Sequence, residues 1–249
     1  ESSFFSYYGA SSYLSHQDIS PQLLSEQDCV YITCLSGTSA EALPYLAHMA
    51  RSSIQRKGIR VAVHAGAAQL EKGALSLKAA LPHIDILVTN SEEMKHFMGV
   101  LKPRFFQSSG QGTIPEAPQL AQKIIAHKQL TFTLYEYLDE LFSHGVKKIV
   151  VNDDDSGFYV ATSDALYFHP TIDSSCENII GTEDAFGACF VALLINGVPI
   201  EQTIRCAAIN AASVKEKIDA KEGLLTREEL TRESSLIDEI LLQKYPLSF

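Results

Sequence analysis

A glycine followed by paired acidic residues opens a helix-forming segment late in the chain. Residues Gly181-Thr182-Glu183-Asp184 lead into a run of small and apolar residues. Because the first N–H groups of a helix have no partner within the helix, a helix start of this kind can hold a phosphate. A carboxylate in the same turn can accept a proton from an attacking hydroxyl, which makes Asp184 a candidate general base. The alternative is that Asp184 only complements the helix dipole.

A second candidate lies where a predicted strand over residues 84–88 ends. Asn90 follows this apolar run, and Glu93 comes three residues later at the start of a predicted helix. Amide and carboxylate oxygens at the carboxyl end of a strand suit a hydrated Mg²⁺ ion near phosphates. The same spacing is also that of a capping box, in which Asn90 and Glu93 only close the helix start. The residues alone leave both interpretations open.

A third segment joins two predicted strands through an acidic turn. Asn152 ends the apolar run 146–152, and Asp154 and Gly157 lie in the turn that follows. By itself this pattern predicts a hairpin with a solvated turn. The chain contains no GxGxxG, GxxxxGK[ST], HExxH or GxSxG motif. Its eight histidines are scattered, so each one is expected on the surface or satisfied in the core.

Apolar, β-branched runs alternate with segments of helical period, which predicts a parallel sheet covered by helices on both faces. The expected strands span residues 29–34, 59–64, 84–88 and 146–152, with a hairpin over 158–162 and 165–169. The expected helices span residues 38–57, 69–81, 91–98, 185–196, 200–217 and 227–243. Residues 100–118 are rich in proline and glycine and are expected to form a surface loop, after which a helical pattern runs to about 143. The aromatic segment 4–11 is expected to be an edge strand or a flap.

Composition and charge exclude several classes of protein. The 249 residues carry a formal net charge of −10, which argues against non-specific binding to nucleic acid or to anionic membranes. No apolar run approaches the length of a membrane span. The chain starts at Glu1 without a basic leader or an apolar signal core, and its five cysteines lack CxxC spacing. We therefore expect buried free thiols and a cytoplasmic protein.

The order and spacing of the three segments resemble the ribokinase-like (PfkB) family of carbohydrate and nucleoside kinases. Asn90 and Glu93 match the family's N-x-x-E motif, and residues 152–157 match its nucleotide-binding turn in position. Residues 178–186 match the signature D-T-x-G-A-G-D-A-F. Residues 210–214 resemble the helix that borders the adenine. Residues 6–11 are similar to the segment that leaves the substrate lid in adenosine-kinase-like members.

This resemblance implies a three-layer (α/β/α) Rossmann-like core with a mostly parallel sheet, over residues 16–249, and a remnant of a β lid over 1–15. Residues 99–118 would form a surface insertion. The implied reaction is ATP- and Mg²⁺-dependent phosphate transfer to a small-molecule substrate, with Asp184 as the base and the N–H groups of Gly181, Thr182 and Glu183 holding charge. Asn90 and Glu93 would organise the metal. The implied nucleotide-binding residues are Asn152, Asp154, Gly157, Asn210 and Ser213. Lids of the family often pair between subunits, so a homodimer is an expectation by resemblance.

The chain also departs from the family pattern. Glu183 and Asp154 stand where glycines are usual, and Thr182 stands where alanine is usual. The family's stretch of roughly a hundred residues before this point, which carries most of the lid, is not in this sequence. A carboxylate at Glu183 that faces the cleft would repel phosphate oxygens. Two hypotheses remain open: a sugar or nucleoside kinase, and a non-catalytic relative that acts as a binding or regulatory protein.

Overall fold

A seven-stranded sheet forms the centre of the computed structural model, which describes residues 9–102, 105–110, 112–153, 156–172, 180–234 and 241–249. In spatial order its strands are β1 (Val30–Thr33), β2 (Val61–His64), β3 (Ile86–Asn90), β6 (Lys148–Asp153), β7 (Gly157–Ala161), β8 (Ala165–Pro170) and β9 (Gln243–Pro246). The pairs from β1 to β6 are parallel, and those from β6 to β9 are antiparallel. A separate antiparallel hairpin joins β4 (Ile125–His127) to β5 (Leu130–Phe132).

Helices cover both faces of this sheet. The α-helices are α1 (Pro21–Ser25), α2 (Leu43–Ser53), α3 (Ala67–Ala80), α4 (Ser91–Leu101), α5 (Gln119–Gln122), α6 (Leu134–Ser143), α7 (Thr182–Ile195), α8 (Ile200–Lys215) and α9 (Arg227–Ser234). Short 3-10 helices span Gly9–Tyr13, His16–Asp18, Gly37–Ala42 and Leu81–His83. The predicted three-layer α/β fold is confirmed. None of the described helices is long and apolar enough to cross a membrane.

The parallel strands are apolar throughout because each one is buried on both faces. Successive side chains of a strand point to opposite faces, and in β2 Val61 and Val63 join one core while Ala62 joins the other. The first core packs α2, α3, α4 and α6 against the sheet. The second core includes Phe186 and Phe190 of α7. The apolar runs in the sequence therefore predict strand position well.

Two predicted helical segments are wrong in part. The pattern expected to be helical up to residue 143 contains the hairpin β4–β5, where Leu130 and Phe132 are buried on one face of a short strand. The final helix was expected to reach Gln243. Gln243 instead begins strand β9, which pairs with β8. Helix α9 is described over Arg227–Ser234, and residues 235–240 lie outside the described residues. The predicted helix over 38–57 starts as a 3-10 turn and ends at Ser53.

Parts of the N-terminal segment and two motif positions lie outside the described residues. These are residues 1–8, Asp154, and residues 173–179 with Cys176 and Asn178. The described part of the expected lid remnant, Gly9–Tyr13, is a 3-10 helix rather than a strand. Four described cysteines are free, but only Cys189 and Cys206 are buried and Cys34 is exposed. The expectation of buried thiols is therefore wrong for Cys34, which lies beyond the end of β1.

Candidate functional site

Polar residues end three neighbouring parallel strands at the same edge of the sheet. His64 ends β2, Asn90 ends β3, and Asn152 lies next to the end of β6. Asn90 and Asn152 are direct partners in the register of β3 and β6. Because the carboxyl ends of parallel strands collect at one edge, three positions far apart in the sequence become neighbours.

The start of α7 lies over this edge. Gly181 precedes the helix with φ = 84°, and a Cβ atom there would lie 2.6 Å from the Cβ of Ala220. Both the left-handed backbone and the close approach require glycine at this position. Glu183 and Asp184 occupy the first turn of the helix. This places two carboxylates and the free N–H groups of a helix start above the strand ends.

The imidazole of His64 connects the strand edge to the helix. Its Nδ1 atom lies 3.1 Å from Oδ1 of Asp184. Its Nε2 atom lies 3.4 Å from Oε2 of Glu183 and 3.8 Å from Oε2 of Glu93. The His64 side chain is 4% exposed. One buried imidazole is therefore surrounded by three carboxylates.

The carboxylates hold the proton of His64 strongly. Burial lowers the pKa of this imidazole, but the hydrogen bond to Asp184 and the nearby Glu183 outweigh burial and raise it to about 10. The same hydrogen bond to His64 lowers the pKa of Asp184 below its usual range, although burial opposes the shift. Asp184 is thus ionised at neutral pH, and its side chain is 60% exposed.

Glu183 has its carboxylate directed into the edge of the sheet. Asn152 donates its Nδ2 hydrogen to Oε1 of Glu183 at 2.9 Å, and Asn90 donates more weakly at 3.4 Å. Burial raises the pKa of Glu183, but His64 and Asn152 outweigh burial and lower it. The side chain is 28% exposed. The expectation that this carboxylate faces the cleft agrees with these contacts.

Asn90 and Glu93 form the capping box of α4. The Glu93 N–H donates to Oδ1 of Asn90 at 2.9 Å, and the Asn90 N–H donates to Oε2 of Glu93 at 3.0 Å. Burial raises the pKa of Glu93 to about 7, although the hydrogen bond from Asn90 and the charge of His64 oppose this. Both hydrogen bonds of a capping box are therefore present. They do not exclude a metal, because a carboxylate oxygen has a second lone pair.

Two cavities meet at Glu183. The larger has a volume of about 420 Å³, and its lining includes Asn152, Phe158, Thr182, Ala212 and Lys215. Within the described part of the chain, Oδ1 of Asn152 and Oγ1 of Thr182 are buried without a hydrogen-bond partner. These atoms fit a polar ligand in a pocket whose wall is partly apolar.

The smaller cavity also has Glu183 in its lining. Its volume is about 250 Å³, and its lining includes Cys34, His64, Glu93, Gly181 and Asp184. The candidate base therefore faces a different space from the larger, partly apolar cavity. Such an arrangement can place two reactants in two cavities that share the Glu183 side chain.

The remaining predicted residues have structural contacts of their own. Asn210 is buried, donates to the Ala185 carbonyl at 3.0 Å and accepts from the Leu225 N–H at 3.0 Å. It links α7, α8 and the following loop. Ser213 is partly buried on α8. Gly157 begins β7 with φ = 139°, and a Cβ atom there would lie 2.2 Å from the His169 carbonyl oxygen.

The sequence did not single out His64 or Lys215. The expectation for His64 was a surface or satisfied core histidine, and its contacts with Glu183 and Asp184 correct that expectation. A histidine at the end of the second parallel strand is the one pattern that could have drawn notice, since strand ends of this sheet carry ligands. Lys215 lies at the end of α8, where a basic residue is also expected to complement the helix dipole.

Comparison with known proteins identifies a family and solved structures with the same α/β fold. The model of the pfkB family of carbohydrate kinases matches residues 1–227. Among solved structures, ribokinase from Thermotoga maritima is 18% identical, with a TM-score of 0.67 over 91% of this chain and 63% of its own. A search of curated protein sequences gave no match.

Two further solved structures add ligands and a second substrate class. An E. coli protein described as a ribokinase II, solved with ATP and Mg²⁺, is 14% identical, with a TM-score of 0.65 over 90% of this chain and 64% of its own. A nucleoside kinase from Methanocaldococcus jannaschii is 16% identical, with a TM-score of 0.61 over 85% of this chain and 57% of its own. This chain thus spans less than two thirds of the length of each.

Proposed function

Because the chain belongs to the pfkB family of carbohydrate kinases, we propose that it transfers the terminal phosphate of ATP to a hydroxyl group of a sugar or a nucleoside. The observation that carries this proposal is the position of Asp184. Its carboxylate lies in the first turn of α7, beside the N–H groups of a helix start and at the smaller of two adjacent cavities.

The larger cavity is proposed as the ATP site. Its volume of about 420 Å³ is in the range of small-molecule pockets. Phe158 and the alanines of α8 offer an apolar wall to the adenine, and the orphan atoms Asn152 Oδ1 and Thr182 Oγ1 offer polar contacts. Lys215 would meet the phosphates or the ribose. Asp154, Gly157, Asn210 and Ser213 remain predicted contributors from the resemblance, and Asn210 would act by fixing α7 against α8.

The oxygen-rich edge of the sheet fits a hydrated Mg²⁺ ion. Glu93 and Asn90 place a carboxylate and an amide at the end of β3, next to Glu183. Carboxylates and waters are the usual Mg²⁺ ligands in nucleotide sites. When bound, the ion would neutralise charge on the phosphates.

Asp184 is the group proposed to remove the proton from the substrate. Its hydrogen bond to His64 keeps it ionised at neutral pH, and its exposure leaves it accessible to a hydroxyl. The N–H groups of Gly181, Thr182 and Glu183 would stabilise the charge that develops on the transferred phosphate. A base with a lowered pKa is weaker, so orientation and electrostatic stabilisation would provide most of the catalysis.

A specific observation favours a second candidate, a non-catalytic nucleotide-binding protein. The Glu183 carboxylate lies in the first turn of α7, beside the helix start to which a phosphate would bind, and Asn152 holds it at the edge of the sheet at 2.9 Å. Like charges at short range in a poorly screened cleft repel. In this candidate, Glu183 weakens the approach of the terminal phosphate, and the fold acts as a binding or regulatory module.

Calorimetry of ATP binding with and without Mg²⁺ tests the proposed nucleotide site. Ala212→Phe fills the larger cavity and is expected to abolish binding, whereas Gln202→Phe at the exposed start of the same helix should not. Mg²⁺-dependent binding lost only in Ala212→Phe supports the site. Absence of ATP binding, or equal loss in both variants, argues against it.

A further inference from the structure

A buried nitrogen without a hydrogen-bond partner points between two carboxylates. Among the described residues, Nε2 of His64 has no hydrogen-bond partner, although its side chain is only 4% exposed. Its other ring nitrogen, Nδ1, contacts Asp184 at 3.1 Å. Oε2 of Glu183 and Oε2 of Glu93 lie 3.4 and 3.8 Å from Nε2 as ion-pair partners, but neither forms a well-aligned hydrogen bond with it. Because a buried polar atom without a good hydrogen bond costs free energy, a cation bound between this nitrogen and the two carboxylates would satisfy all three groups.

The separations around Nε2 match the edge lengths of a metal coordination shell. In a tetrahedral site with bonds of about 2.0–2.1 Å, neighbouring ligand atoms lie about 3.3 Å apart. Nε2 lies 3.4 Å from Oε2 of Glu183 and 3.8 Å from Oε2 of Glu93. Ligand atoms of these three residues all lie within 4.8 Å of one another. One ion can therefore reach all three with small side-chain adjustments.

We propose that His64, Glu93 and Glu183 form a binding site for a first-row transition-metal ion of the Zn²⁺ type. This site shares Glu93 and Glu183 with the proposed phosphate-transfer site, but binding of the metal alone does not require phosphate transfer. Imidazole favours Zn²⁺ and related ions over Mg²⁺, whereas carboxylates accept both. Histidine nitrogen and carboxylate oxygen are both Zn²⁺ ligands, and three protein ligands leave a fourth position for water or substrate.

The surrounding contacts orient these ligands as metal sites require. A histidine that binds a metal through one nitrogen usually donates the hydrogen of the other to a carboxylate. Asp184 accepts such a contact from Nδ1 of His64. Asn152 donates to Oε1 of Glu183 at 2.9 Å, and Oε2 accepts only a long hydrogen bond from Asn90 at 3.5 Å. The negative charge of three carboxylates would be balanced by a dication in place of a proton.

The smaller cavity gives the ion a way in and room for a further ligand. Its volume of about 250 Å³ opens onto His64, Glu93 and Glu183. Among the described residues, His64 is the ion-pair partner of all three carboxylates, those of Glu93, Glu183 and Asp184. No described lysine or arginine therefore competes with a metal at these three carboxylates.

A second ligand set shares the same histidine. Cys34, His64 and Asp184 also bring ligand atoms within 4.8 Å of one another. Cys34 and Asp184 are exposed, whereas Glu93 is buried and Glu183 is partly buried. The unpaired Nε2 faces the glutamates, which favours the first set. A thiolate ligand has a distinct spectrum, so the two sets can be separated by experiment.

Calorimetry with Zn²⁺ alone, on the whole chain, tests the site. We expect one Zn²⁺ per chain and at least a tenfold loss of affinity in Glu183→Gln, because a ligand is removed. Glu183 is partly exposed, so this variant should fold. His64→Asn is expected to abolish the site. His127→Asn is the matched control, since the half-buried His127 and the exposed His96 form a ring pair with centroids 4.9 Å apart that could bind Zn²⁺ by itself.

Spectroscopy with Co²⁺ distinguishes the two ligand sets. The proposed site predicts a Co²⁺ spectrum without a thiolate charge-transfer band and unchanged affinity in Cys34→Ser. Loss of binding in Cys34→Ser would overturn the assignment, as would Zn²⁺ affinity that is unaltered in Glu183→Gln. Failure of the unmodified chain to bind stoichiometric Zn²⁺, or loss of the site in His127→Asn, would also overturn it.

Discussion

The Nδ1 atom of His64 lies 3.1 Å from Oδ1 of Asp184, which joins the end of strand β2 to the first turn of helix α7. The two residues are 120 positions apart in the sequence. The contact keeps the pKa of the Asp184 carboxyl below its usual range. The candidate base is therefore linked to a buried cation, and its chemistry depends on a residue in a different structural element.

Asp184→Asn is expected to reduce phosphate transfer by about 10²–10⁴-fold, because an amide cannot accept the proton. Stability should also fall, because the variant removes a charged hydrogen-bond partner from the buried imidazole of His64, so activity is compared on protein shown to be folded. Steady-state kinetics and thermal unfolding on the same preparation check this prediction. Glu92→Gln, which removes an exposed carboxylate from the first turn of α4, is the matched control. Retention of full activity by Asp184→Asn would eliminate this residue as the base.

Glu183→Gly is expected to tighten ATP binding. Removal of the carboxylate relieves repulsion that we place at about 1 kcal/mol or more, which corresponds to a gain of roughly fivefold or more in affinity. The gain should shrink at high salt, because screening already weakens the repulsion. Glu183→Gln removes the negative charge but keeps the size of the side chain, so it separates charge repulsion from steric effects on ATP binding. Micromolar ATP binding by the unmodified chain, with no gain in the variant, would show that Glu183 does not impair the site.

Glu93→Gln separates metal binding from helix capping. If Glu93 organises Mg²⁺, the variant should bind ATP with weaker Mg²⁺ dependence, because a neutral amide holds a hydrated cation less well. The matched control is Glu136→Gln, since Glu136 and Thr133 form an equivalent capping box at the start of α6, away from the site. Calorimetry over a Mg²⁺ series and thermal unfolding measure both properties. If the two variants lose only stability, to a similar extent, Glu93 is a capping residue alone.

Asp85 is expected to contribute to stability above pH 4 and to lose this contribution in acid. Its side chain is fully buried between Arg51 and Lys147. Burial raises its pKa, but the hydrogen bonds from Lys147, Arg51 and two backbone N–H groups outweigh burial and lower it. A carboxyl whose pKa is lower in the folded than in the unfolded state stabilises the folded protein at pH values above its unfolded pKa of about 4. This stabilisation is lost as the pH falls through the lower, folded-state pKa.

Asp85→Asn should therefore reduce the free energy of unfolding at pH 7 by about 1–3 kcal/mol. The difference between the variant and the unmodified chain should narrow as the pH falls below about 4. Urea unfolding at several pH values measures this. Asp28→Asn is the control, because Asp28 is 69% exposed in its ion pair with Arg56 and should change stability little. A difference that is constant across the pH range would contradict the prediction.

The layered fold could be predicted because apolar runs record burial on both faces of a parallel strand. The capping arrangement of Asn90 and Glu93 could also be predicted, since it depends on three-residue spacing alone. The hairpin β4–β5 was missed because its turn contains no glycine. Lys128 adopts the positive φ of 53° that glycine or asparagine usually supplies.

The role of His64 could not be predicted because its partners are brought close only by the tertiary fold. Its local sequence, Val-Ala-Val-His, is that of any buried strand. The three carboxylates around it come from α4 and α7. Strand β9 was missed because its residues are polar and mostly exposed at the edge of the sheet. Such a strand shows no alternation or run of apolar residues in the sequence.

Transfer of the labelled terminal phosphate of ATP to a panel of sugars and nucleosides tests the proposed function most directly. The unmodified chain is incubated with ATP and Mg²⁺, and the label is followed into each acceptor. We predict labelled product from at least one acceptor, dependent on Mg²⁺ and lost in Asp184→Asn. ATP binding without transfer to any acceptor would contradict the kinase proposal and would support a nucleotide-binding protein without catalysis.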